Sequence, residues 1–540
     1  MSSNNLTANP DVSVAAQLYP AERGVERSAR TTLLTLGLCA LILVPTLAYR
    51  MTVDQGIFAY MGSQVLEGRW PYLSTWESDY PGLMFLQAIE ILLFGKSIVM
   101  FRLFDCLFQL GSAYFIYRIT YRVGTRRAGA VLAAVLFCLI YQGYGPWNTA
   151  QREGFALFFV LAGFCLFFTA ERRPAVITGL AIGLGLGMAL LIKPTVLALS
   201  LFYLPLVFEL RNRDAWKSLL SVFAGGIAPM AAVLTFYWIQ GGLRELYEAC
   251  VLFQYTYTTL LRNDASLPAY WLSKARRLGA NAVWLPVVYA PFLVWGAERR
   301  HRVMLFLAYL GSLYAVFVQG TFAGYHYLPG LAIGAILIGN MCSQASDFLF
   351  KQRRLPVVGK AWMLRDVAVA ALILLALVVY IKPTTIRNFV SLRFLERPLP
   401  NEYRNGNVFD VTEDYDVADY LKSRTEPSEP IQVWGYETLV YYLAERRAAS
   451  RFQMTTPLVM RTAGQSLSPL QQKWRQEFMN DMVQKRPKYV AVVRNDNWWW
   501  APNNKSSEEL LNDFPEWKGF IDSHYRLEHT IGKFLLYQRL

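Results

Sequence analysis

Long apolar runs fill the chain as far as Lys382 and then stop. A helix that crosses a bilayer needs about 20 apolar residues in succession, with a range near 17–25. Runs that approach or meet this length occupy 31–49, 98–118, 128–143, 154–170, 175–192, 195–210, 218–239, 282–297, 303–319, 327–345 and 366–382. Charged residues make up 17% of the chain, where roughly 25% is usual. This pattern excludes a wholly soluble enzyme, a disordered chain and a coiled-coil or collagen-like fibre. It predicts a polytopic α-helical membrane protein with about eleven transmembrane helices and one extramembrane domain, 383–540.

The net charge of +14 invites a nucleic-acid reading, which its distribution removes. From Pro383 onward there are 21 Lys and Arg against 20 Asp and Glu, leaving 32 basic and 19 acidic residues before it. Those basic residues sit in short loops between apolar runs: Arg118, Arg122, Arg126 and Arg127; Arg172 and Arg173; Arg211, Arg213 and Lys217; Arg299, Arg300 and Arg302; Lys351, Arg353, Arg354, Lys360 and Arg365. By the positive-inside rule they mark the cytoplasmic face, together with a loose polar tail over 1–30. The transmembrane region then covers 31–382, and the terminal domain lies outside. The charge reports topology and implies no nucleic-acid partner. Of six cysteines, all but Cys250 fall within apolar runs, and no metal-type or disulfide spacing is present.

One apolar run, 83–94, is too short to span: about 18 Å as a helix against a hydrocarbon core near 30 Å. It is expected to lie along the interface, as is 56–66, making the loop 50–97 a structured external element. A second external loop, 241–279, mixes aromatic and basic residues, including Arg276 and Arg277, in the manner of a surface helix or lid. The terminal domain alternates signals. Thr412 is expected to cap a helix to about Lys422, 431–435, 489–493 and 534–537 read as strands, and Ser468-Pro469 opens a helix. This is a small α/β domain.

Polar residues collect at the outer ends of the spans. Asp54 follows the first; Glu77 and Asp79 precede Pro81-Gly82; Asn148, Gln151, Arg152 and Glu153 join the third to the fourth. Lys193-Pro194 lies between the fifth and sixth, and Tyr325, His326 and Tyr327 open the tenth. Ionisable groups near membrane depth are costly unless paired or functional, so one common site is the economical reading.

The sequences Asp54-Gln55-Gly56-Ile57-Phe58-Ala59-Tyr60 and Leu66-Glu67-Gly68-Arg69-Trp70-Pro71-Tyr72, followed by Trp76 and Pro81-Gly82, resemble the first external loop of GT-C fold glycosyltransferases. The likeness is to the bacterial lineage related to protein O-mannosyltransferases and the aminoarabinose transferase of lipid A. Residues 147–154, Ile192-Lys193-Pro194 and 325–329 fit later landmarks. The resemblance implies sugar transfer from a polyprenyl-phosphate-linked donor outside a bacterial cytoplasmic membrane. It places the first-loop acid at Asp54 and a second acid at Glu153. Many relatives carry Lys before the loop proline, where this chain reads Asp79-Tyr80-Pro81-Gly82.

The inventory suits that chemistry. Asp54 is a candidate base for an acceptor hydroxyl. Lys193, Arg152, His326 and the Tyr325 and Tyr327 hydroxyls are candidates to stabilise the departing phosphate. Glu77 and Asp79 are candidates for acceptor contact or, with Asp54 and Glu153, for an oxygen-ligand Mg²⁺ or Mn²⁺ site. Trp498-Trp499-Trp500 offers aromatic surface for a sugar or for membrane anchoring. Membrane lipids, a lipid-linked sugar and a glycan, glycolipid or protein acceptor are the expected partners. The alternative reading is a transporter or flippase of a lipid-linked glycan, for which internal repeats and midplane charges are expected.

Overall fold

The computed structural model describes residues 20–124, 126–169, 175–207, 213–262, 266–278, 280–293, 299–352, 411–498 and 500–540. The expected span at 366–382, the stretch 383–410 and Trp499 lie outside these residues. The membrane region is built from helices α1 (Pro20–Leu43), α2 (Val53–Leu66), α3 (Gly82–Phe94), α4 (Ile98–Gly124), α5 (Arg127–Gly143), α6 (Arg152–Thr169) and α7 (Ala175–Ile192). It continues through α8 (Arg213–Ile239), α9 (Phe253–Arg262), α10 (Leu267–Leu278), α11 (Ala280–Tyr289), α12 (Arg299–Gln319) and α13 (Leu328–Gln352).

Among the described residues, six helical stretches are long and apolar enough to cross a membrane: Ala29–Ala48, Ile98–Gly124, Arg152–Thr169, Ala175–Ile192, Trp216–Ile239 and Arg299–Gln319. The expected count of about eleven spans is not confirmed by these six. The run at 128–143 gives α5, a shorter apolar helix. The run at 282–297 leaves α-helical geometry after Tyr289, where Pro286 and Pro291 remove backbone donors. The run at 195–210 is a 3₁₀ helix, Pro194–Tyr203, followed by one α-turn. A 3₁₀ helix rises about 2.0 Å per residue against 1.5 Å for an α-helix, so a short run reaches further through the bilayer.

The loop 50–97 is helical where interfacial helices were expected. Helix α3 buries Leu83, Met84, Leu86, Gln87 and Glu90 while leaving Ile89, Leu92 and Leu93 exposed. An apolar outer face on so short a helix suits the headgroup boundary. The loop 241–279 forms a π-turn followed by α9 and α10.

The terminal domain has a four-stranded sheet in the order β1-β2-β4-β3, where β1 is Ile431–Trp434, β2 Tyr489–Val493, β3 Tyr525–Ile531 and β4 Phe534–Arg539. Strands β1 and β2 are parallel; the other pairings are antiparallel. Strand β3 was not expected, because an exposed edge strand carrying Arg526, Glu528 and His529 has no apolar alternation. Helices α14 (Thr412–Arg424), α15 (Leu439–Ala444), α16 (Pro469–Lys485) and α17 (Pro515–His524) complete it. Ser468 caps α16 through the Gln471 amide, at 3.2 Å. Thr412 does not cap α14; its hydroxyl accepts instead from Arg50.

The domain docks on the first loop. The Trp76 amide donates to the Arg451 carbonyl, and the Gln453 side-chain amide brackets the Trp76 backbone from both sides, at 2.9 and 2.6 Å. The Ala448 amide donates to the Tyr60 hydroxyl. Gly56 is required here, since a Cβ on it would lie 2.7 Å from the Leu439 backbone.

Arg102, fully buried on α4, ties these parts together. Its guanidinium donates to the Tyr49 and Arg50 carbonyls at the end of the first span and to Gln55 Oε1 on α2. It also donates to Thr149 Oγ1 in the turn before α6. A planar fork with five N–H groups satisfies this set; a lysine has three donors on a single atom. Arg102→Lys is therefore expected to forfeit at least one charge-assisted bond, worth about 1.5–3 kcal/mol. Thermal unfolding of purified protein in micelles should show a lowered midpoint, and an unchanged midpoint would remove Arg102 from this role.

Candidate active site

Where the start of α6 and the end of α7 meet α2, the first loop and the terminal domain, there is a cavity of about 560 Å³. Each polar wall residue is placed by a local feature. Asp54 sits in the first turn of α2, at whose start the Thr52 amide donates to Gln55 Oε1 at 2.9 Å. A carboxylate there meets the positive end of the helix dipole. Arg152 and Glu153 open α6 after Ala150, whose left-handed backbone (φ 52°) is held by its amide donating to Tyr141 Oη at 2.7 Å. Lys193 stands where Pro194 ends α7, because the residue before a proline is driven out of α geometry. His326 lies in the single turn Gly324–Tyr327 that precedes α13.

The charges are paired across these elements. Lys193 Nζ lies 3.1 Å from Glu153 Oε1, and both groups are buried. Arg152 pairs with Asp79 and stacks over the Phe58 ring at 5.4 Å. Asp54 Oδ1 accepts from the Tyr436 hydroxyl at 3.5 Å. Burial raises the Asp54 pKa above the usual carboxylate range, and Arg152 only partly offsets it. Burial raises Glu77 in the same way. Lys193 is lowered to about 8, with burial the largest cause and Glu153 opposing it. His326 Nε2 is 3.7 Å from Glu153 Oε1, yet burial lowers its pKa to about 3. The pair is therefore not ionic at neutral pH: the imidazole is neutral and acts as a hydrogen-bonding group.

Of the residues singled out in the sequence, Asp54, Glu77, Asp79, Arg152, Lys193, Tyr325 and His326 line the cavity together. Glu153 stands behind the wall as the partner of Lys193. Tyr327 does not line the cavity. The four acidic residues do not assemble an oxygen-ligand site. Asp79 and Glu153 are each engaged by a cation, and among the described residues no three His, Cys, Asp or Glu side chains converge. The structure also brings in residues that sequence reasoning missed: Tyr436 beside Asp54, and Gln254, which donates to the Ser78 carbonyl at 3.1 Å and holds the loop from α9.

Comparison with known proteins agrees with this architecture. The family model described as dolichyl-phosphate-mannose-protein mannosyltransferase matches residues 72–239. The crystal structure of ArnT from Cupriavidus metallidurans bound to undecaprenyl phosphate is 13% identical, with a TM-score of 0.56, covering 94% of this chain and 98% of that one. The same enzyme in its apo state is 12% identical, with a TM-score of 0.56, covering 95% and 98%. No curated relative matches at the sequence level. The chain has the GT-C fold expected from its first-loop motif.

The Lys193–Glu153 pair has a consequence that does not depend on the reaction. Removing one member of a buried pair leaves an uncompensated charge and costs about 3–5 kcal/mol. Glu153→Gln should thus lower the unfolding midpoint clearly, whereas Glu153→Asp should recover part of the loss. Equal midpoints for Glu153→Gln and the wild type would show that the pair is not formed.

Proposed function

We propose that this chain is a membrane glycosyltransferase that moves a sugar from a polyprenyl-phosphate-linked donor to an acceptor hydroxyl on the external face. One observation carries the reading: a half-buried carboxylate, Asp54, shares a cavity with two cations, Arg152 and Lys193, at the ends of apolar helices. A lipid-linked donor must present its phosphate at that depth, with the lipid in the bilayer and the sugar above it. The comparisons support the donor class. The similar ArnT structure holds undecaprenyl phosphate, and the matching family is described by transfer from dolichyl-phosphate-mannose.

The reaction follows from the placement. The acceptor oxygen attacks the anomeric carbon while its proton passes to Asp54. The bond from that carbon to the phosphate oxygen breaks, and its electron pair leaves with the polyprenyl phosphate. Positive charge from Arg152 and Lys193 stabilises the developing phosphate dianion in a water-poor site, where such interactions are strongest. Neutral His326 and the Tyr325 hydroxyl offer hydrogen bonds to its oxygens. A single displacement inverts the anomeric configuration. The positive-inside pattern supports a bacterial cytoplasmic membrane location with the terminal domain periplasmic.

Asp54→Asn keeps the size of the side chain and removes its basicity. A positioned general base contributes about 10²–10⁴-fold, so single-turnover transfer of labelled sugar should fall by that order while donor binding persists. Near-normal turnover would refute the assignment.

The pH profile tests the two ends of the site. Turnover should rise as Asp54 loses its proton, at a pH above the ordinary carboxylate range. It should fall again above about pH 8, where Lys193 loses its charge. Lys193→Arg keeps a permanent cation and should abolish the alkaline fall even if it lowers the maximum. An unchanged alkaline limb in Lys193→Arg would assign that limb to another group.

A further inference from the structure

The terminal domain turns one particular edge of its sheet towards the cavity. Strands β1 and β2 run parallel, so their carboxyl ends lie side by side. The chain leaving β1 carries Gly435 and Tyr436, and the chain leaving β2 carries Trp498 and Trp500. All three aromatic residues line the cavity that contains Asp54. In open α/β sheets the crevice beyond the carboxyl ends of parallel strands is where ligands bind. A domain that served only as a cover would have no reason to present this edge.

Both loops are held firmly. The Tyr436 amide donates to Glu437 Oε2 at 2.6 Å, and Glu437 Oε1 is paired with buried Lys533 at 3.0 Å. The β2 loop is fixed by Asp496, whose carboxylate accepts from the Ser507 amide and hydroxyl, each at 2.6 Å. A Cβ on Gly435 would lie 2.3 Å from Val493 Cγ2, so the two strand ends are in tight contact. On this base Trp498 and Trp500 stack at 5.8 Å with a 16° angle, and the Tyr436 ring meets Trp498 edge-on at 4.7 Å.

The chemistry of the wall is specific. Tyr436, Met454, Thr456, Met460, Trp498 and Trp500 line the terminal-domain side of the cavity, and none carries a charge. The cations Arg152 and Lys193 come from the start of α6 and the end of α7. Tyr436, among the aromatic residues, is the one that touches the proposed base. The C–H groups on one face of a pyranose ring suit an aromatic wall, since the faces of such rings are electron-rich.

Resting on the glycosyltransferase reading above, we propose that the carboxyl edge of β1 and β2 is the acceptor subsite, and that it takes a neutral pyranose. The hydroxyl to be glycosylated is then carried by a sugar, held by Tyr436, Trp498 and Trp500 with that hydroxyl towards Asp54. A peptide hydroxyl and an anionic lipid headgroup are the competing occupants that the test distinguishes.

The test is saturation-transfer NMR on the full chain in lipid nanodiscs free of sugar detergents. The probes are a set of methyl hexopyranosides, a serine- and threonine-containing peptide, and a soluble anionic sugar phosphate. Saturation should reach the ring C–H protons of at least one neutral pyranoside. Its apparent Kd should weaken roughly three- to tenfold in Trp498→Phe and Trp500→Leu, the scale of one aromatic contact. Transfer to the peptide or the anionic probe, with none to any neutral pyranoside, would overturn the subsite. So would pyranoside binding that both tryptophan variants leave unchanged. Binding of undecaprenyl phosphate, followed in parallel by native mass spectrometry, reports on the donor site alone. Its loss in the wild type would strike the donor reading, and its persistence without pyranoside binding would strike only the acceptor proposal.

Discussion

A single buried guanidinium organises the outer half of this molecule. Arg102 enters an apolar helix where an unpaired charge would be costly, and the chain meets that cost by wrapping three segments around it. The end of the first span supplies two carbonyls, α2 supplies Gln55, and the turn before α6 supplies Thr149. Gln55 also donates to the Pro146 and Thr149 carbonyls, closing the knot. Asp54 precedes Gln55, and Arg152 and Glu153 follow Thr149 within four residues. The positions of the proposed base and of the cation opposite it are thus set by one residue that touches neither substrate nor cavity.

The second constraint is the helix dipole. Helices α6 and α7 are consecutive and packed together, so the start of one lies beside the end of the other. Glu153 stands in the first turn of α6 and Lys193 directly after the last turn of α7. Each charge has the sign that the nearby helix end favours. The pair therefore gains from both helix ends as well as from its own attraction, which is how two ionised groups persist at this depth. It also leaves Lys193 charged at neutral pH but close enough to titration for alkaline pH to matter.

The sequence pattern made some of this legible and hid the rest for physical reasons. Asp54, Arg152, Lys193 and His326 stood out because polar groups at the ends of apolar runs interrupt an otherwise uniform signal. Arg102 and Asp105 lay inside a run that was long and apolar enough to read as a span, and their neighbours 47 or 36 residues away carried no mark of the contact. The clue was there: Arg102, Asp105, Gln109 and Ser112 recur at helical spacing, all fully buried, which only a polar seam between helices explains. Tyr436 was beyond sequence reasoning, since it reaches Asp54 from 382 residues away. The irregular geometry of two runs was not legible because hydropathy counts residues and is blind to whether they wind as α or 3₁₀.

The first loop resolves an apparent conflict in the chemistry. The first-loop resemblance implies a lysine before the loop proline, and this chain reads Asp79-Tyr80-Pro81-Gly82 there. A carboxylate beside a phosphate would oppose it if left alone. Instead Asp79 is joined to Arg152, while its own carbonyl is fixed by the Tyr72 hydroxyl at 2.6 Å. The loop no longer contributes a cation; it tethers one that comes from α6. A guanidinium held at one edge by a carboxylate still has N–H groups free in direction and number to meet phosphate oxygens. The ion pair also links the loop to α6, because any shift of the loop must carry Arg152 with it.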